Sequence, residues 1–219
     1  KNGGQVNSRI EKIIIGAISV LALQLGCSSV AKIEQTPKPK ASPRYEPSRV
    51  LYGNQGAPLT VYRYVNLGSV LQAADSDAFK RMIQKYPDSV KIIVKHVPLP
   101  QFYPSSLIGS QILEALRDID QKRAKDFYEL TMSTEQMQRL KTEDDYWHLL
   151  KQLKFSIPQV KKEISKGHRT FRILEDYAEY KSLGIEGTPA YVINGDVLAG
   201  TRPYEELELL IETHLRGAK

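Results

Sequence analysis

The sequence predicts an α/β domain in the order β-α-β, an all-helical insertion, then β-β-α, behind a membrane-anchoring N-terminal segment and a proline-rich stem. Three observations carry that reading. Two short β-branched and aromatic runs, residues 59–65 (LTVYRYV) and 90–97 (VKIIVKHV), flank a single helical period. Residues 105–180 carry only helical patterns, broken by polar residues and proline. A second pair of apolar runs then closes around Asn194-Gly195. At 219 residues and 41% hydrophobic content, the chain suits one well-buried core with accessories, not two comfortable domains.

The N-terminal segment comes first. Residues 13–31 contain no charge and lie between Lys12 and Lys32, close to the ~20 residues that a membrane span requires. Residues 13–25 read as the apolar region of a secretory signal behind the basic Arg9 and Lys12. The run Leu23-Gln24-Leu25-Gly26-Cys27 resembles the lipobox of bacterial lipoproteins, whose cysteine becomes a lipidated N-terminus, although Gln24 stands where leucine is expected. The other reading is an uncleaved signal anchor with Cys27 as a small buried thiol. Both place the rest of the chain on the extracytoplasmic, periplasmic side of a bacterial cell envelope, tethered to the membrane by the segment itself or by lipid on Cys27. Residues 1–31 are therefore leader or anchor. Residues 32–49, with prolines at 37, 39, 43 and 47, read as an extended linker, and residues 50–219 as the domain.

Within the domain, 59–65 and 90–97 are expected strands. Asp77, Ala78, Phe79, Met82 and Ile83 mark a helix between them, stopped by Tyr86-Pro87-Asp88-Ser89. A strand, helix and strand of this length imply a parallel pair with a right-handed crossover. In the insertion, Leu107, Ile108, Ile112, Leu113 and Leu116 form one apolar stripe. Thr142, three residues before Asp145, is expected to cap a helix through Leu153, with Trp147 as a core anchor, and Pro158 to open the next helix. Residues 190–193 return to β structure, Asn194-Gly195 turns a hairpin, and Val197-Leu198 completes it. Pro203 is expected at the first position of a closing helix whose first turn carries Glu205 and Glu206.

Charge and cysteine content exclude several function classes. The formal net charge is +6, but residues 1–49 hold 8 Lys/Arg against 3 Asp/Glu, leaving 23 against 22 for residues 50–219. So neutral a total argues against a basic stripe and against nucleic acid as a partner. The single cysteine, Cys27, excludes an intramolecular disulfide, a cysteine-based zinc site and a Cys-x-x-Cys redox centre. His96, His148, His168 and His214 are scattered without ligand-like spacing, so neither a metal nor another cofactor is expected.

Four segments resemble the DsbA-like branch of the thioredoxin fold. Residues 53–61 (GNQGAPLTV) look like that family's lead-in to its first core strand. Residues 97–100 (VPLP) are similar to its strand-end Pro-Leu, and residues 126–130 (DFYEL) to its aromatic helix motif. Residues 184–195 (GIEGTPAYVING) are similar to the segment with its cis-proline and following hairpin. The resemblance covers residues 50–216 and implies a cis bond before Pro189, in contact with the family's active-site turn. That turn, Cys-Pro-x-Cys in active members, falls here on Ser69-Val70-Leu71-Gln72. Thiol–disulfide exchange needs an attacking thiolate and a resolving thiol, which a hydroxyl and an amide do not supply.

What remains is a redox-inactive, chaperone-like binding or complex-assembly module. In the family the cis-proline loop holds extended peptide through backbone hydrogen bonds. The candidate surface is Ser69, Val70, Leu71 and Gln72, the loop Gly187, Thr188 and Pro189, and the groove residues Phe102 and Tyr103. Two alternatives stand beside it. One is an enzyme using Ser69, by similarity to kappa-class glutathione transferases, which carry serine at the first cysteine position. The other is a purely structural subunit of an envelope complex.

Overall fold

The computed structural model describes residues 43–217. The leader, Cys27 and residues 32–42 of the linker lie outside the described residues. Five strands form one sheet: β1 Val50–Tyr52, β2 Leu59–Val65, β3 Val90–His96, β4 Ala190–Ile193 and β5 Asp196–Ala199, in the order β1-β3-β2-β4-β5. β2 and β3 run parallel from Leu59↔Val90 to Val65↔His96, and the other pairings are antiparallel. Between β2 and β3 lie α1 Val70–Ala74 and α2 Ser76–Lys85. The insertion supplies α3 Ser106–Ile119, α4 Gln121–Thr131, α5 Thr134–Arg139, α6 Glu143–Gln152, α7 Ile157–Ser165 and α8 His168–Ser182, and α9 Tyr204–Gly217 closes the described chain. No helix among the described residues is long and apolar enough to cross a membrane.

Strand alternation sorts the core into two layers. Val61, Val65, Ile92, Val94, Tyr191 and Ile193 face a large cluster shared with α2, α3, α4 and α9. Tyr62, Tyr64, Ile93, Ala190 and Val192 face a smaller one built with Tyr180 and Tyr177 of α8. Both faces of the central strands are therefore covered, so β2 and β3 are near-continuous buried runs, as parallel strands between helices are.

Local chemistry explains the helix boundaries. At α6 the Asp145 N–H donates to Thr142 Oγ1 at 3.3 Å and the Thr142 N–H donates back to Asp145 Oδ2 at 2.7 Å, a reciprocal capping box. Trp147 is 7% exposed and donates its indole N–H to Glu143, one turn earlier. Pro158 lies in the first turn of α7, where its missing N–H costs nothing. Pro203 differs from expectation: α9 begins at Tyr204, and the Pro203 carbonyl accepts the Glu206 N–H at 3.2 Å, so the proline caps the helix from outside. β1 has no signal in the sequence. Three residues are too few to show a period, and the strand exists because the edge of β3 offers it partners at Ile92 and Ile93. The turn Pro47–Arg49 just before it packs on the domain, and Arg49, the last residue of the segment read as linker, is buried.

Candidate functional site

The site lies at the C-terminal end of β2. Register pairs Tyr64 with Ala190, so Pro189 and the loop before it come to the same end of the sheet from which residues 66–69 lead out of β2. Gly68, at φ +100°, turns the chain there; a Cβ at this position would also stand 3.3 Å from the Tyr146 hydroxyl. Ser69 caps α1: its Oγ accepts the Leu71 N–H at 3.3 Å, and its carbonyl accepts the Gln72 N–H at 3.0 Å. The amphipathic logic of the turn then divides its side chains. Ser69 and Gln72 are buried, whereas Val70 and Leu71 are 52% and 49% exposed.

Of the other expected residues, Tyr103 meets this turn, and the Gly187–Pro189 loop approaches the same end of the sheet. The Tyr103 hydroxyl lies 3.4 Å from Ser69 Oγ, and beside it Phe102 is 71% exposed. Gly187, at φ +99°, is exposed and donates its N–H to the Tyr180 hydroxyl at 2.8 Å. The Thr188–Pro189 bond is cis, as the resemblance implies, and Pro189 is buried. The Pro189 carbonyl accepts the Gly200 N–H at 2.8 Å, but neither the N–H nor the carbonyl of Thr188 has a hydrogen-bond partner among the described residues. Thr188, 7% exposed, thus brings an unpaired backbone donor and acceptor to the end of the sheet at which the exposed Val70 and Leu71 emerge. From Tyr103 the surface continues into a cleft of about 570 Å³ lined by Pro104, Leu107, Ile108, Gln111 and Thr142.

Beneath the turn lies a charged pair that sequence reasoning missed. Arg63, in the middle of β2, and Asp75, at the junction of α1 and α2, are both 0% exposed, and Nη2 donates to Asp75 Oδ2 at 2.7 Å. Arg63 Nε donates to the Tyr191 hydroxyl at 3.0 Å, Nη1 to the Tyr128 hydroxyl and to Met132 Sδ, and the guanidinium sits 4.3 Å above the Phe79 ring. The Tyr191 hydroxyl in turn donates to Asp75. Burial pushes the Tyr191 phenol well above its ordinary range, so it stays protonated and serves as that donor. The side-chain amides of Asn66 and Gln72, residues 1% exposed, have no hydrogen-bond partner among the described residues. The pair ties the α1–α2 junction to β2 and β4 and thereby fixes the turn that carries Val70 and Leu71.

A second buried network holds the loop on the other side. Arg49 donates to both Asp176 oxygens at 2.7 and 2.6 Å and to Glu114 Oε1 at 3.1 Å, and His96 Nε2 lies 3.0 Å from the same Glu114 oxygen. Lys95 reaches Asp176 Oδ1 at 3.2 Å. Burial lowers the His96 pKa against the pull of Glu114, so the ring is neutral. Burial alone would raise Glu114, but Arg117 and Arg49 hold it well below the usual carboxylate range. His96 ends β3 and begins the connection to Phe102 and Tyr103, so this network anchors the stem of that loop. No group of three or more His, Cys, Asp or Glu among the described residues is placed to hold a metal ion.

The fold has counterparts among known proteins. The family model described as thioredoxin matches residues 46–213. Among solved structures, a thioredoxin-like oxidoreductase from Silicibacter pomeroyi superposes with a TM-score of 0.67 at 16% identity, covering 75% of this chain and 90% of that one. The thiol-disulfide exchange protein α-DsbA2 of Wolbachia pipientis gives 0.65 at 15% identity, covering 74% and 84%. A periplasmic thioredoxin-like protein from Salmonella enterica serovar Typhimurium gives 0.60 at 20% identity, covering 78% and 92%. No curated protein matches. The chain belongs to the thioredoxin family, shares the fold of its DsbA-like thiol–disulfide oxidoreductases, and lacks their Cys-x-x-Cys pair.

Proposed function

We propose that this chain is a redox-inactive binding module of the cell envelope that holds extended polypeptide between the Ser69–Gln72 turn and the Gly187–Pro189 loop. The observation that carries the reading is the unpaired Thr188 backbone at the end of the sheet where Val70 and Leu71 are exposed and where Tyr103, next to exposed Phe102, meets Ser69. Backbone pairing gives affinity without sequence preference, and apolar side chains on either side give it a hydrophobic bias. The positions that carry thiols in active members hold a buried hydroxyl and a buried amide, so a bound chain is neither oxidised nor reduced. An extracytoplasmic setting is supported by the leader-like residues 13–27 and by the periplasmic protein among the structural neighbours.

The alternative based on Ser69 finds little support, because its Oγ caps α1 and the side chain is 3% exposed. The test is equilibrium binding of a fluorescent, unstructured, apolar-rich peptide that contains one disulfide. The expected result is saturable binding with the disulfide intact. Leu71→Asp and Phe102→Asp are each expected to weaken it roughly 30-fold, as loss of a central apolar anchor does. Equal affinity in both variants, or turnover of the peptide disulfide, overturns the proposal.

A further inference from the structure

Between Pro43 and Arg49, both buried, the chain crosses the surface of the domain, with Arg44, Tyr45, Pro47 and Ser48 exposed. Its contacts there are slight. The Arg44 N–H donates to Glu179 Oε2 at 2.7 Å and the Arg44 guanidinium lies 3.6 Å from Glu175, both on α8. Gln55 Nε2 donates to the Pro47 carbonyl at 3.2 Å, and Lys91 Nζ sits 5.0 Å above the Tyr45 ring. Exposed pairs of this kind contribute little to holding a segment in place. Arg49, 1% exposed, is therefore the point at which residues 44–49 grip the domain.

That grip shares two oxygen atoms with the residue that starts the Phe102–Tyr103 loop. Arg49 Nη2 donates to Asp176 Oδ2 at 2.6 Å, and the His96 N–H donates to the same oxygen at 2.9 Å. Arg49 Nη2 also donates to Glu114 Oε1 at 3.1 Å, and His96 Nε2 lies 3.0 Å from that oxygen. Arg117 closes the arrangement, donating to the Arg49 carbonyl at 3.1 Å and to the Val94 carbonyl at 3.2 Å. His96 leads directly into Val97, whose N–H donates to the Val65 carbonyl at 2.8 Å. The turn beyond it is held by the Phe102 and Tyr103 N–H groups, which both donate to the Leu99 carbonyl, at 3.0 and 2.9 Å. The Tyr103 hydroxyl then reaches to 3.4 Å from Ser69 Oγ.

We propose that Arg49 is a positioning residue for the candidate groove: seating of residues 44–49 fixes the loop that carries Phe102 and Tyr103, so peptide affinity depends on how the linker meets the domain. The statement about affinity rests on the peptide-binding reading, whereas the statement about the loop does not. A guanidinium in a close-packed site is either between its two carboxylates or out of it, which gives the segment two discrete arrangements. Release leaves the carboxylates with other cations, since Lys95 lies 3.2 Å from Asp176 and Arg117 lies 3.4 Å from Glu114. The loop then loses its link to the linker while the charges beneath it stay paired. The coupling is reciprocal, so bound peptide also favours the seated segment.

The test is amide hydrogen exchange of the full chain carrying Arg49→Met, first alone and then with the fluorescent apolar-rich peptide. Exchange at Val97, Phe102 and Tyr103 is expected to quicken roughly tenfold, while the paired amides of β2 and β4 keep their rates. Peptide affinity should weaken by a similar factor. In the wild-type chain, saturating peptide should slow exchange of the Arg49 N–H, which donates to the Glu46 carbonyl at 3.0 Å. Arg49→Lys keeps a cation but not the fork that reaches both carboxylates, and gives the same pattern at smaller amplitude should the first variant fold poorly. Loop exchange that is unchanged in both variants, or that rises equally in β2 and β4, overturns the proposal, as does faster loop exchange with unaltered affinity. A wild-type chain that binds no peptide refutes the peptide-binding reading instead, and the loop rates then decide the positioning role by themselves.

Discussion

Replacing Asp75 by Ala strands a charge in the core beneath the proposed groove. Arg63 and Asp75 are both fully buried and joined at 2.7 Å. After the substitution Arg63 keeps only neutral partners, namely the Tyr128 and Tyr191 hydroxyls, Met132 sulfur and the Phe79 face, and Tyr191 loses its acceptor. Deleting one member of a buried pair costs about 3–5 kcal/mol, and the surviving polar partners place this case near the lower end. That is a large share of the roughly 5–15 kcal/mol holding a typical domain. The assay is urea unfolding followed by Trp147 fluorescence, reading the midpoint at unchanged slope. Removing both charges with Arg63→Met and Asp75→Leu should cost less than Asp75→Ala alone, because no uncompensated charge remains. A loss below about 1 kcal/mol for Asp75→Ala, or a double variant less stable than it, would refute the reasoning.

Other consequences can be checked separately. His96 is fully buried and its pKa is lowered chiefly by burial, so the unfolded chain takes up a proton near pH 6.5 that the folded chain refuses. Its contribution is therefore complete above about pH 6.5 and falls below it, by up to about 1.4 kcal/mol per pH unit; urea midpoints between neutral pH and pH 5 should show a slope that His96→Gln flattens. Gly109→Ala would put a Cβ 2.8 Å from the Tyr146 ring, and calorimetry should register a loss of about 1–3 kcal/mol from overpacking. Because the Gln72 N–H bonds the Ser69 carbonyl at 3.0 Å, Ser69→Cys with Gln72→Cys should place two Cα atoms within the ~4.4–6.8 Å that a disulfide spans. That variant should oxidise in air and regain weak exchange activity; thiols that stay reduced would show that the turn does not occupy the family's active-site position.

Much of the fold is legible in the sequence because periodicity and punctuation are local. The run LTVYRYV reads as a strand whatever covers it, Asn194-Gly195 turns a hairpin on its own, and Thr142 with Asp145 caps a helix without tertiary help. The cis bond before Pro189 is legible only through family resemblance, since nothing local distinguishes Thr188-Pro189 from a trans turn. The buried charges are not legible. Alternation puts Arg63 on the same strand face as Leu59, Val61 and Val65, but nothing local names its partners, and only the fold brings Asp75, Tyr128 and Tyr191 to it from three other segments. Arg49 reads as linker for the same reason: its partners Glu114 and Asp176 lie 65 and 127 residues away. The one signal is the charge pattern of α3 and α8, where Glu114 and Asp176 sit among apolar residues on helix faces that turn inward.

The central claim is that an extended chain pairs with Thr188 across from Val70 and Leu71, and amide NMR of the purified protein tests it most directly. Titration with an unstructured apolar peptide is predicted to shift the amide signals of Thr188, Val70, Leu71 and Phe102, and to slow hydrogen exchange at Thr188, whose N–H is unpaired without ligand. Signals from Asp196 and His214, which meet at the opposite end of the sheet, should stay in place. Unmoved amides at Thr188 and Leu71 under saturating peptide, or shifts confined to other surfaces, would contradict the account.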